Sequence, residues 1–265
     1  MHGAGNDFVV IDNSSSDLAL SREQISHLCD RRYGIGADGL ILLETIEDAA
    51  LDARMIYYNS DGSRAEMCGN GARCFTAFAL AMRLGKDNSI RFETDAGPVS
   101  ARSQNDLITI GIPAANSIQL NTVLDLPSGS ITIHSINTGV PHVVSFVEDV
   151  SQIDILTLGA AIRNHSSFAP EGANANFAQI QEGSSLLLRT YERGVEDETL
   201  ACGTGAIATG ILAHIVHGLP KPLQLNVSGG ATLFVDFDIA EQTLHNITLT
   251  GPAVTVFEGM IRLQS

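Results

Sequence analysis

The chain has 265 residues, 44% of them hydrophobic, and sets 15 Lys and Arg against 30 Asp and Glu for a formal net charge of −15. That length suits a substantial core shared between two domains of about 130 residues, and the charge repels any polyanionic partner, which excludes nucleic acid. The N-terminus lacks a basic segment followed by an apolar run, and no unbroken apolar stretch reaches bilayer length, so the expectation is a soluble, cytoplasmic protein with no membrane partner.

In chain order, β-branched and aromatic runs predict strands at Phe8–Asp12, Gly39–Leu43, Arg54–Tyr58, Ile90–Thr94, Leu107–Ile112, Ile131–Ile136 and Val143–Val147. Further strands are predicted at Asn176–Ile180, Leu186–Tyr191, Leu223–Val227, Thr232–Phe237, Leu244–Leu249 and Ala253–Phe257. Among helices, Ser21–Arg31 opens on a serine with Gln24 three residues later, the arrangement of a capping box. Ile153–Arg163 carries a weaker helical pattern, and Gly71–Leu84 and Gly205–His217 lack a polar face, so both should be buried on most sides. Buried helices among antiparallel strands define an α+β protein in which each sheet wraps around a helix.

The two apolar helices follow "MCGNGA" (Met67–Ala72) and "ACGTGA" (Ala201–Ala206), which share C-G-x-G-A. After each come a strand, a Gly-containing turn and another strand: "IRFETD", "AGPV" and "LITIGIP" in the first half, "LQLNVS", "GGAT" and "NITLTGP" in the second. A supersecondary unit repeated at half the chain length predicts two pseudo-symmetric domains. The expected division is 1–113, completed by a C-terminal strand at 253–265, and 114–252.

Four cysteines, Cys29, Cys68, Cys74 and Cys202, are too few and too scattered for a disulfide scaffold. Cys29 and Cys74 read as core residues. Cys68 and Cys202 each stand before glycine at a helix start, where unpaired N–H groups and the helix dipole bind an anion such as a carboxylate. The same field lowers a thiol pKa from about 8.5 into the range of about 3.5–7.5. If both helix ends hold one carboxylate, one thiolate removes the α-proton from one face while the opposite thiol protonates the other, and the stereocentre inverts. Pyridoxal phosphate would need a lysine for its Schiff base. The chain has only Lys86 and Lys221, each beyond the helix that follows a Cys-Gly motif, so no cofactor is expected.

Together "MHGAGNDFVVID", "RRYGIGADGL", "YYNSDGSRAEMCGNGARC", "TGVPH", "EGANANFAQI" and "RTYERGVEDETLACGTGA" resemble the diaminopimelate epimerase family nearly end to end. The resemblance implies a cofactor-independent isomerase that interconverts LL- and meso-diaminopimelate on the bacterial route to lysine and cell-wall peptide. It implies Cys68 and Cys202 as the catalytic acid/base pair and Gly69 with Asn70, and Gly203 with Thr204, as the carboxylate cradle. Asn6, Asn59, Asn174, Glu192 and Arg193 match the family's substrate contacts. Amides and a carboxylate suit ammonium groups, and a guanidinium forks onto a distal carboxylate. His142 and Glu192 match the groups that assist deprotonation of Cys68 and Cys202 respectively. The implied partner is the small-molecule substrate, and whether the chain forms a homodimer is left open.

Read alone, several of these residues have plainer uses. Asn59 before "SDG" holds a turn, Glu192 and Arg193 form a surface pair, His142 is structural, and Asp95 and Asp197 are solvated charges. The "GIGADG" segment looks like a phosphate loop, but "LILLE" follows as a strand, so that reading is rejected. The sequence departs from the family pattern in three ways. It starts at "MHG", so the short strand usual before that turn is either missing or cut off by a misplaced start, and its loss would leave a sheet edge unpaired. It also has Val140 and Gly39 where many members carry Asn and some carry Gln. Among rivals, proline racemase-like enzymes carry His at the Asn70 position. A metal or redox protein would find two thiols short of a structural zinc set unless His142 joined them. A binding module would leave the stereocentre untouched.

Overall fold

A computed structural model describes residues 1–15, 17–112, 115–241 and 243–263, and the chain falls into two compact units, Met1–Gly111 with Gly251–Ser265, and Ile112–Thr250. The expected boundary between residues 113 and 114 lies outside the described residues.

In the first unit β1 (His2–Gly3) turns back at Ala4 and Gly5, both at positive φ, onto β2 (Asn6–Asp12). Helix α1 (Arg22–Cys29) starts as its sequence demands: Ser21 accepts from the Gln24 backbone and the Gln24 side chain accepts from the Ser21 backbone. Strand β3 (Gly39–Glu44) lies parallel to β2, and its unbroken apolar run is buried because both of its faces are covered. It pairs antiparallel with β4 (Ala53–Asn59), on which β5 (Arg64–Ala65) forms a short rung. Helix α2 (Gly69–Ala81) follows, and β6 (Ser89–Glu93) pairs parallel with β4 before β7 (Val99–Gln104) and β8 (Leu107–Gly111) complete an antiparallel meander. Helix α2 is buried from Gly69 through Thr76, with Phe75 packed on Phe92 of β6 at 4.6 Å between ring centroids. Full burial of one such ring contributes about 1.5–3 kcal/mol.

The second unit opens with the hairpin β9 (Asn116–Leu126) and β10 (Gly129–Asn137), and β11 (Pro141–Phe146) pairs antiparallel with β10. After α3 (Ile155–Arg163), β12 (Asn174–Ile180) returns parallel to β11, and β13 (Ser185–Glu192) and β14 (Asp197–Thr199) extend it antiparallel. Helix α4 (Gly203–His217) ends at Gly218 in the left-handed conformation. Strand β15 (Leu223–Val227) pairs parallel with β13, and β16 (Thr232–Ala240) and β17 (Thr243–Pro252) complete the antiparallel meander. The series β2-α1-β3-β4-β5-α2-β6-β7-β8 thus has the same element order and strand directions as β11-α3-β12-β13-β14-α4-β15-β16-β17. The repeat announced by the C-G-x-G-A motif and the strands after it extends back through the preceding strands and helix of both units.

The structure corrects three expectations. Ala253–Phe257 is not a strand: only Val254 bridges, to His2, because β1 turns away at Ala4 and offers no further ladder. Helices α2 and α4 begin at Gly69 and Gly203, two residues early, since the cysteines themselves occupy the cap position. Strands β7 and β9 escaped notice because their Ser, Gln and Asn content masks the alternation. Asp95 is exposed in a turn, as expected, and there accepts from both Arg64 Nε and Nη2 and lies 3.6 Å from Arg54.

Candidate active site

In the first unit the site grows from the start of α2. Cys68 is extended, its carbonyl accepts from Ala72 at 2.7 Å, and its Sγ accepts from the Gly71 amide at 3.5 Å. The thiol is half-buried and faces Asn6 Oδ1 at 3.6 Å. That oxygen also accepts from Asn70 Nδ2 at 3.2 Å, while Asn6 Nδ2 donates to Asp38 Oδ2 at 2.8 Å. A carboxylate only accepts, so Asp38 fixes which end of the Asn6 amide turns to the thiol. Asp38 and Asp7 share Arg31 at 2.7–2.9 Å; burial alone would raise the Asp7 pKa, but Arg31 and the Asp38 backbone hold it below its ordinary value.

Beneath this cluster lies Arg73, wholly buried. It donates to Asn70 Oδ1 at 2.7 Å, Gly69 O at 3.4 Å and Pro252 O at 3.3 Å, all uncharged acceptors. Burial lowers its pKa to about 10, which still leaves it cationic at neutral pH. A buried cation one turn inside α2 reinforces the positive helix end for an anion. Asn59, by contrast, is exposed and serves its turn, accepting from Tyr57 Oη at 3.2 Å and donating to Ser63 Oγ at 3.1 Å.

The second unit builds a comparable group at α4. Cys202 is only 5% exposed, its carbonyl accepts from Ala206 at 2.9 Å, and its Sγ lies 3.5 Å from Thr204 Oγ1. Thr138 Oγ1 donates to Thr204 O at 3.1 Å, tying the turn before β11 to the helix start. Parallel pairing of β11 with β12 sets His142 beside Asn174. Asn174 donates to Pro141 O and accepts the Arg193 backbone N–H at 2.8 Å, so it joins the ends of β11 and β13. Glu192 accepts from Thr199 Oγ1 at 2.8 Å, and Arg193 donates to Glu171 O at 3.3 Å.

His142 is 1% exposed, and burial, with Arg193 second, lowers its pKa to about 3. Its Nδ1 lies 3.2 Å from Asn176 Nδ2, and among the described residues its Nε2 has no hydrogen-bond partner. Asn176 also reaches α4: a Cβ on Gly205 would meet its Oδ1 at 2.4 Å.

Burial pushes the other two thiols up, Cys29 to about 11 and Cys74 to about 12, and withdraws them from chemistry at neutral pH. A cavity of about 700 Å³ between β2 and Thr255–Leu263 is apolar and holds none of the candidate residues. Among the described residues no group of three or more His, Cys, Asp or Glu side chains could hold a metal ion, and no helix is long and apolar enough to cross a membrane. Sequence reasoning missed Asp38, Thr138 and Asn176. It also missed Arg73, which stands where the second copy has Ile207 and one of whose acceptors, the Pro252 carbonyl, is distant in sequence.

The fold is the one shared by a hydroxyproline epimerase and by PhzF-family proteins. The hydroxyproline epimerase of Agrobacterium vitis superposes with a TM-score of 0.70 at 17% identity, covering 95% of this chain and 86% of that one. The PhzF-family phenazine biosynthesis protein of Bacillus anthracis superposes at 0.71 with 18% identity, covering 98% and 95%. The family model described as Diaminopimelate epimerase matches residues 1–111 and 134–256. The diaminopimelate epimerase of Chlorobaculum tepidum is 40% identical over 270 residues, spanning 99% of this chain and all of that one. That of Aquifex aeolicus is 40% identical over 273 residues, spanning 98% and 96%. This chain belongs to the diaminopimelate epimerase family.

Proposed function

We propose that the chain interconverts LL- and meso-diaminopimelate by moving the α-proton between two cysteines, with no cofactor. Family membership over nearly the full chain gives the reaction. The single observation that carries the mechanism is that both cysteines occupy the cap position of a buried helix and are followed by glycine, so that each thiol stands at the positive end of a helix dipole, which suits a carboxylate. Negative charge that develops on the carboxylate as the α-proton leaves is met by the amides of Gly69 and Asn70 in one cradle and of Gly203 and Thr204 in the other. Arg73 adds a fixed positive charge under the first. Cys68 and Cys202 act on opposite faces of the α-carbon, one accepting a proton and the other supplying one.

Asn6, Asn59, Asn174, Glu192 and Arg193 bind the two amino-acid ends, with Arg193 on the distal carboxylate. Glu192 assists Cys202, and His142 serves the opposite thiol. Val140 and Gly39 supply fewer polar contacts than other members have there, so discrimination at the distal end should be looser. Incubation of LL-diaminopimelate with the protein, in chelator and reductant, should yield the meso isomer by chiral chromatography, while L-proline stays unchanged. Racemisation of proline with inert diaminopimelate would overturn the proposal.

A further inference from the structure

The Asn176 carboxamide is 1% exposed and makes three contacts: Nδ2 donates to Val143 O at 2.9 Å and meets His142 Nδ1 at 3.2 Å, while Oδ1 accepts from Thr190 Oγ1 at 2.9 Å. A backbone carbonyl can only accept, so the amide atom that touches Val143 O must be the nitrogen. The same nitrogen touches His142 Nδ1, which must therefore present a lone pair. A neutral imidazole then carries its proton on Nε2. That atom is buried with no partner among the described residues, an unusual state for a donor, since an orphaned buried polar group costs about 1–3 kcal/mol.

We infer that Asn176 is a positioning residue that locks His142 as the Nε2–H tautomer, so that His142 donates a hydrogen bond to an anionic acceptor, carboxylate or thiolate, in the loaded enzyme. In this role His142 stabilises an anion that has already formed and does not act as the base that removes a thiol proton. Only the identity of the acceptor rests on the proposed epimerase reading; the tautomer follows from β11, β12 and Val143 alone. Asn176 also stands against the first turn of α4, where a Cβ on Gly205 would meet its Oδ1 at 2.4 Å, so the same amide sets the place of the Cys202 cap.

Two-bond proton–nitrogen correlation spectra of the full chain, labelled with ¹⁵N-histidine, read the tautomer in the ligand-free protein. The expected result is a pyrrole-type Nε2 and a pyridine-type Nδ1 for His142, assigned by the loss of its signals in His142→Gln. Thr190→Val should leave the pattern intact because Val143 still orients the amide. Asn176→Asp, which offers only acceptors, should move the proton to Nδ1. A wild-type spectrum with Nδ1 protonated overturns the inference whether or not Asn176→Asp folds. Added LL-diaminopimelate should shift the Nε2 proton downfield: persistence of that shift in both Cys68→Ala and Cys202→Ala identifies a carboxylate acceptor, and its loss in one of them identifies that thiolate. Shifts elsewhere that leave His142 unmoved overturn the donor role, whereas an absence of any shift counts against diaminopimelate binding and leaves the tautomer result standing.

Discussion

At the residue scale the second half-site turns on a histidine that the fold keeps neutral. In the unfolded chain His142 takes up a proton near pH 6.5, whereas in the fold burial, with Arg193 second, holds that event down to about 3. Between these values the unfolded chain binds the extra proton. The contribution is therefore present above pH 6.5 and is lost as pH falls toward 3, by up to about 1.4 kcal/mol per pH unit. Urea denaturation at neutral pH and near pH 5 should show wild type losing more stability than His142→Gln; equal losses would contradict the burial argument. Reading "VPH" alone points to a structural histidine, and the resemblance points to a catalytic one. Neither shows the tautomer, because that depends on Val143 and Asn176 meeting across two parallel strands. Arg73 and Asp38 were hidden for the same reason: each acts through a partner distant in sequence, Pro252 for one and Asn6 for the other.

At the scale of elements, the repeated C-G-x-G-A motif builds the same helix start in different surroundings. A Cβ on Gly71 would meet the Ile41 Cδ1 methyl at 3.1 Å and the Met55 Cε methyl at 3.4 Å, flexible ends that can give way. A Cβ on Gly205 would meet Asn176 Oδ1 at 2.4 Å, and that amide is pinned by three hydrogen bonds. Gly205→Ala should therefore cost about 1–3 kcal/mol and most of the activity, while Gly71→Ala should fall within about 1 kcal/mol because alanine favours the helix. Denaturation midpoints that rank the two the other way would contradict this packing account. Both helices were legible from their apolar runs and the strands around them from β-branched runs such as "LILLE". The polar strand β9 and the single-pair ladder at Val254 were not, since their extent depends on which neighbour the chain meets.

At the scale of the molecule, the second unit is continuous in sequence whereas the first draws on both ends of the chain. The closing segment supplies the Pro252 carbonyl to Arg73 and the Val254 bridge to His2. Deletion of residues 251–265 would strip the buried guanidinium of an acceptor, at about 1–3 kcal/mol for that group alone. The shortened chain should melt lower and turn over more slowly, with hydrogen exchange rising first in α2; unchanged melting and activity would show that the segment is dispensable. The sequence announces both the two like halves and a closing segment that returns to the first; what it misses is the form of that segment, because Ala253–Phe257 looks like a strand and works instead as a strap with one bridge.

The central claim is that two cysteines exchange the α-proton without help from a cofactor. Its most direct test is proton NMR of LL-diaminopimelate in D₂O with wild type, Cys68→Ala and Cys202→Ala, with chelator and reductant present and no pyridoxal phosphate added. The account predicts deuterium at the α-carbon and accumulation of the meso isomer with wild type, and no isomer formed by either variant. Epimerisation that survives the loss of either thiol would contradict it.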